Sequence, residues 1–158
     1  MIKYGSFMAY LTLFSLIVLD DVDHTGLPNA QLVKEGNPLA TAYKNKSVAE
    51  QNSIDLAWDL LMADDFKDLR AVIYTNEAEE KHFRALLVNL VLATDICDKE
   101  LGAKRKERWA KAFAGTGSAD HINEPTEDAV NRKATIVLEH LIQASDVAHT
   151  MQHWHIYR

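Results

Sequence analysis

Apolar residues in this chain recur at intervals of three and four, and no stretch alternates in and out as a strand does. Phe83, Leu86, Leu87, Leu90 and Val91 fall on one helical face. They follow Asn76-Glu77-Ala78-Glu79, in which a capping side chain precedes an acid by three positions. Ser47-Val48-Ala49-Glu50 carries the same signal ahead of Ile54, Ala57, Leu60 and Leu61. Gly26-Leu27-Pro28-Asn29 reads as a turn, with Asn29 placed to cap a short helix that reaches about Glu35. Gly36-Asn37-Pro38 ends that helix, and Gly115 to about Asn131 is expected to be a loop. A long final helix is expected from near Arg132 to the C-terminus. With no strand pattern and no repeat, the expected class is all-α.

At 158 residues the chain suits one domain with a sizeable core. Its net charge of -6 and lack of a long basic run argue against a nucleic-acid groove. An acidic protein that handles a phosphate ester needs cations to reverse the local sign. The single cysteine, Cys97, permits no internal disulfide, which fits a reducing compartment, the cytoplasm. Phe7 to Leu19 is almost continuously apolar but shorter than a membrane span. It has a thin basic flank in Lys3 and no small-residue cleavage pattern, so a buried core helix is the expectation for it. Membrane attachment of a longer parent protein stays open.

Two distant clusters carry metal-ligand chemistry: Asp20-Asp21-Val22-Asp23-His24 and Ser145-Asp146-Val147-Ala148-His149. Carboxylates suit hard divalent cations and imidazoles suit borderline ones. Asp146, His149 and His153 share a helix face with Ile142. That face reads equally as a ligand set or as a polar stripe near a helix end. Asp21 and His24 are also three apart, a pair that surface or capping residues often make. Glu50, taken alone, reads as the acid of its capping box, and Thr94-Asp95 as a polar helix terminus. His82, Lys99, Lys104 and Arg105 read as solvated.

Four segments together say more than each does separately. Asp21 to Asn29 (DVDHTGLPN), Tyr43 to Asn52 (YKNKSVAEQN), Leu90 to Ile96 (LVLATDI) and Ala144 to His149 (ASDVAH) occur in one order. In that order and spacing the chain resembles the catalytic domain of the class I 3′,5′-cyclic-nucleotide phosphodiesterases, from about Leu19 to Arg158. The resemblance implies a compact, HD-like, multi-helix fold, incomplete in this chain. Residues 1–19 are expected to be an apolar segment that matches the family poorly, and residues 20–158 a partial catalytic domain.

The resemblance further implies hydrolysis of cAMP or cGMP to the 5′-monophosphate in signal transduction, at two divalent metal ions, zinc with magnesium or manganese. Asp21 and Asp146 match the family's metal-binding aspartates, and Asp20 stands where the family has a zinc-binding histidine. His24, Glu50 and Thr94 match positions that hold metal-bound waters, and Ile96, Val147 and His149 fall where the family lines its nucleotide pocket. The family's upstream His-Asn-x-x-His motif is not found, and the sequence stops at Arg158, before the region where the family places its purine-gripping glutamine. A fragment of a catalytic domain is therefore expected. The alternatives are an inactive regulatory or interaction module that keeps the helical scaffold, and a generic metal phosphohydrolase of the wider helical His-Asp type.

Overall fold

The computed structural model describes residues 22–114 and 126–148, and these divide after Asp95 into two compact units. The described residues are helical apart from turns, with no strand among them. The first unit contains α1 (Asn29–Lys34), α2 (Pro38–Ala42), α3 (Val48–Met62), a 3-10 turn (Asp64–Phe66), α4 (Lys67–Ile73) and α5 (Glu77–Thr94). The second contains α6 (Lys99–Phe113) and α7 (Glu127–Val147).

The short helices of the first unit stop for specific backbone reasons. After α1, Gly36 turns left-handed at φ +67, and the N–H groups of Gly36 and Asn37 reach back to Val33 and Leu32 carbonyls at 3.1 and 3.0 Å. This double return satisfies carbonyls that the helix leaves open. Asn37 then caps α2, its Oδ1 accepting from the Leu39 N–H at 2.9 Å, with Pro38 at the first helical position. The same double return ends α2, from Lys44 to Thr41 and from Asn45 to Ala40. Here no glycine is available, and Lys44, Asn45 and Ser47 all hold positive φ (55°, 60° and 38°). Such residues cost on the order of 1 kcal/mol or more each, so this loop needs contacts to hold it.

Leu32, Ala40 and Val48 form a small core under these helices, backed by Val33, Leu39 and Tyr43. The larger core is the α3–α5 pair: Ile54 and Ala57 on one side, Phe83, Leu87, Leu90 and Val91 on the other, all buried. Trp58 and Tyr74 flank Phe83 at ring separations of 6.5 and 6.2 Å. The Arg84 guanidinium lies over Trp58, 5.1 Å from its centre. Leu60 departs from the expected apolar face of α3, being 58% exposed near the helix end. Arg70 of α4 closes that end by donating to the Leu61 and Ala63 carbonyls. Asn76 caps α5 as expected, accepting from the Glu79 N–H at 3.0 Å. Glu79 in turn accepts from the Thr75 N–H and hydroxyl, at 2.7 and 2.8 Å. These two bonds hold its carboxyl below the usual carboxylate range.

In the second unit α6 is strongly polar, yet it packs on α7. Arg108 donates to the buried Glu139 Oε2 at 2.8 Å, and Trp109 stacks between Phe113 (4.5 Å) and His140 (4.3 Å). Arg105 was expected on a solvated face but is 6% exposed; its positive charge sits close enough to Glu139 to favour the ionised carboxylate. Lys104, His82 and Lys99 are exposed as expected. α7 starts at Glu127, five residues earlier than the Arg132 expected from sequence, because Thr126 caps it by accepting from the Ala129 N–H. The acidic, proline-bounded stretch that reads as loop thus supplies a cap and first turn. No helix among the described residues is long and apolar enough to cross a membrane. The apolar Phe7 to Leu19 segment and residues 149–158, over which the final helix was expected to continue, lie outside the described residues.

Candidate functional site

The site in the first unit is built where the N-terminus of α3 meets the C-terminus of α5. Ser47-Val48-Ala49-Glu50 starts α3, but not as a capping box. Ser47 is left-handed, makes no cap bond, and donates its hydroxyl to the buried Asp95 at 2.8 Å. Asn29, expected to cap its own helix, does not; Pro28 occupies that position and makes no side-chain bond. The Asn29 side chain crosses instead to α3. Its Oδ1 accepts from the Ala49 N–H at 2.9 Å, and its Nδ2 donates to Glu50 at 2.8 Å and to Asp95 at 3.2 Å. The cap comes from another segment because the left-handed Ser47 cannot supply it.

Two carboxylates therefore face a single amide. Burial pushes Glu50 above the usual carboxylate range. The Asn29 bond and its own backbone N–H pull it back, the Asp95 charge pushes it up, and His24 pulls it down. Asp95 lies just past the C-terminus of α5, where a helix dipole disfavours an anion. Donors from Ser47 and Asn29 offset this. Thr94, the last residue of α5, is buried and donates its hydroxyl to the Val91 carbonyl at 2.7 Å.

His24 stands on an exposed turn that does not continue a helix, since Asp23 is left-handed at φ 58°. Its Nδ1 accepts from the Gly26 N–H at 3.0 Å, so in the neutral ring Nε2 carries the proton. Consecutive residues of α3 tether this turn. Asn52 donates to Asp23 at 3.2 Å and Ser53 donates to the Val22 carbonyl at 2.8 Å. His24, Glu50 and Thr94, all expected at one site, are thus all carried by the first unit, with His24 near enough to Glu50 to affect its ionisation.

Ile96, Asp146 and Val147 belong to the second unit and are exposed there. Asp146 follows the buried Ile142 by one turn of α7. Asp20, Asp21, His149 and His153 lie outside the described residues. Among the described residues no three His, Cys, Asp or Glu side chains are gathered as ligands of one ion. Sequence reasoning missed Asn29, Ser47, Asp95, Asn52 and Ser53 as parts of this site. The Asp95 position carried a readable signal: an acid at the end of an apolar helix calls for donors from elsewhere.

The sequence profile of the 3′5′-cyclic nucleotide phosphodiesterases matches residues 3–158. The chain belongs to this family. It is similar to human cGMP-inhibited 3′,5′-cyclic phosphodiesterase 3A, 35% identical over 100 residues that make up 60% of this chain and 9% of that protein. It is also similar to the probable 3′,5′-cyclic-AMP phosphodiesterase pde-4 of Caenorhabditis elegans, 37% identical over 76 residues, 48% of this chain and 11% of that one. Among solved structures it resembles the phosphodiesterase domain of the Salpingoeca rosetta rhodopsin phosphodiesterase. That match has a TM-score of 0.68 and 25% identity, and covers 89% of this chain and 39% of the other. This phosphodiesterase-family chain thus spans a small part of the curated relatives it matches, and its all-helical architecture is that of phosphodiesterase domains.

Proposed function

We propose that this chain contributes to metal-dependent hydrolysis of 3′,5′-cyclic nucleotides, cAMP or cGMP, to 5′-monophosphates. The family match along nearly its whole length carries the reading. The half-buried Glu50 beside His24 supports it, because burial and neighbouring charges tune groups that position water. In this reading Asp21 and Asp146 are metal ligands, with Asp20 in place of a histidine. The described residues gather no complete ligand set, so the assignment rests on the family pattern. Zinc with magnesium or manganese would neutralise the phosphodiester and render a water acidic enough to attack phosphorus. Glu50 and the Thr94 hydroxyl would orient water. His24 would present Nε2–H toward the phosphate side, because Nδ1 is engaged by Gly26. Ile96, Val147 and His149 would line the nucleotide. A cytoplasmic setting is part of the same proposal.

The test is formation of 5′-monophosphate from cAMP and cGMP by the full chain with zinc plus magnesium or manganese. Glu50→Gln is expected to lower turnover by about 10²–10⁴, the range for a positioned acid–base group. Asp146→Asn is expected to abolish divalent-metal binding seen by calorimetry. Metal binding without turnover would favour the inactive interaction module. Hydrolysis of nucleoside monophosphates alone would favour the wider phosphohydrolase class. A folded chain that binds no divalent metal would overturn the site assignment.

A further inference from the structure

We infer that Asn29 is a positioning residue, whose side-chain amide clamps the Glu50 and Asp95 carboxylates at the start of α3 and fixes the direction in which Glu50 presents its acid group. The inference rests on the reading of Glu50 as a water-orienting residue. An asparagine amide offers one oxygen and two N–H donors on one rigid plane. Here the oxygen takes the Ala49 N–H, and the nitrogen serves two carboxylates from two other segments. The reversed amide would set its oxygen against both carboxylates and its NH₂ against an N–H. The observed orientation is therefore the only one that satisfies all three partners. Aspartate at this position would keep the helix cap but place a third carboxylate in the cluster. Alanine would keep neither function.

The surroundings show that the clamp has an effect to exert. Glu50 is pushed up by burial and by the Asp95 charge, and the Asn29 bond is the largest of the influences that oppose this. Ser47 supplies the second donor to Asp95, and that bond helps keep Ser47 at a φ of 38°. Two tethers thus divide the work. Ser47 serves Asp95 alone, whereas Asn29 serves both acids and the helix terminus. Among the described residues His24, on the turn tied to α3 through Asp23, is the other titratable group that acts on Glu50 besides Asp95.

The experiment is a pH titration of the Glu50 side-chain carboxyl by carbon-13 NMR in the full chain, with Glu50→Gln to assign the signal. Asn29→Ala is expected to move the Glu50 midpoint upward. Asn29→Asp retains the acceptor for the Ala49 N–H, so it should keep the helix content of the wild type by circular dichroism while also moving Glu50 upward. Ser47→Ala is expected to leave the Glu50 midpoint in place. An unmoved midpoint in folded Asn29→Asp would overturn the inference, as would an equal shift in Ser47→Ala. The titration needs no turnover. A wild-type chain without activity but with the expected shifts would leave the clamp standing and sink the functional reading. Unmoved midpoints in an active chain would sink the clamp alone.

Discussion

Replacing Arg108 by alanine should expose how α6 and α7 are held together. Glu139 is 1% exposed; its Oε2 accepts from Arg108, and its Oε1 has no hydrogen-bond partner among the described residues. Burial pushes the Glu139 carboxyl above the usual range, against the pull of Arg108, Arg105 and His140. Removing one partner of a fully buried ion pair costs about 3–5 kcal/mol. The Arg108 side chain is 47% exposed, so water already screens its half of the pair. The loss of a hydrogen bond to a buried charge, about 1.5–3 kcal/mol, is the better guide at neutral pH. The sign of the pH dependence follows from linkage. The folded chain binds the Glu139 proton more tightly than the unfolded chain does, so this residue's contribution is most favourable below the unfolded carboxylate pKa. It declines as pH rises through the folded value. Arg108→Ala pushes the folded value up further, so its cost should be large at pH 7 and should shrink below about pH 4, where Glu139 is protonated in both states. Urea unfolding followed by Trp109 fluorescence reads this pair directly, because Trp109 stacks on His140 of α7. Trp58 and Trp154 are replaced by phenylalanine in the background. The midpoint at pH 7 should fall by about 1 M, given a slope of about 1–3 kcal/mol per molar urea. A change below about 0.5 kcal/mol, or a cost equal at the two pH values, would refute the argument.

Two further substitutions test the first unit. Leu90→Ala empties a fully buried position between α3 and α5 and should cost about 2–5 kcal/mol in urea unfolding followed at Trp58; a smaller loss would mean that the pair is loosely packed. Asn76→Ala removes the cap on α5 and should cost about 1 kcal/mol, visible as faster amide exchange at Glu79, whereas Asn76→Asp should recover most of it.

The parts of this chain that were legible in its sequence are those where one segment decides its own structure. α5 is an example: its cap, its acid at the third position and its apolar face all lie within the helix. The same signal misled at Ser47, because the preceding loop arrives in a left-handed conformation and the cap is supplied from Asn29, twenty residues away along the chain to Ala49. Arg105 failed for a related reason. In a helix as charged as α6 nothing local distinguishes Arg105, buried and close enough to act on a glutamate thirty-four residues later, from the cations that face water. The candidate site divides along the same line. His24, Glu50 and Thr94 were reached through the order of family motifs, since each has an ordinary structural role when read alone. Asn29 and Asp95 take their meaning from a meeting of three segments. Asp95, an anion at a helix C-terminus, is the position where local energetics already demanded partners. An acid placed against a helix dipole is thus a sequence-level pointer to a tertiary donor, and here that donor is the residue on which the placement of Glu50 depends.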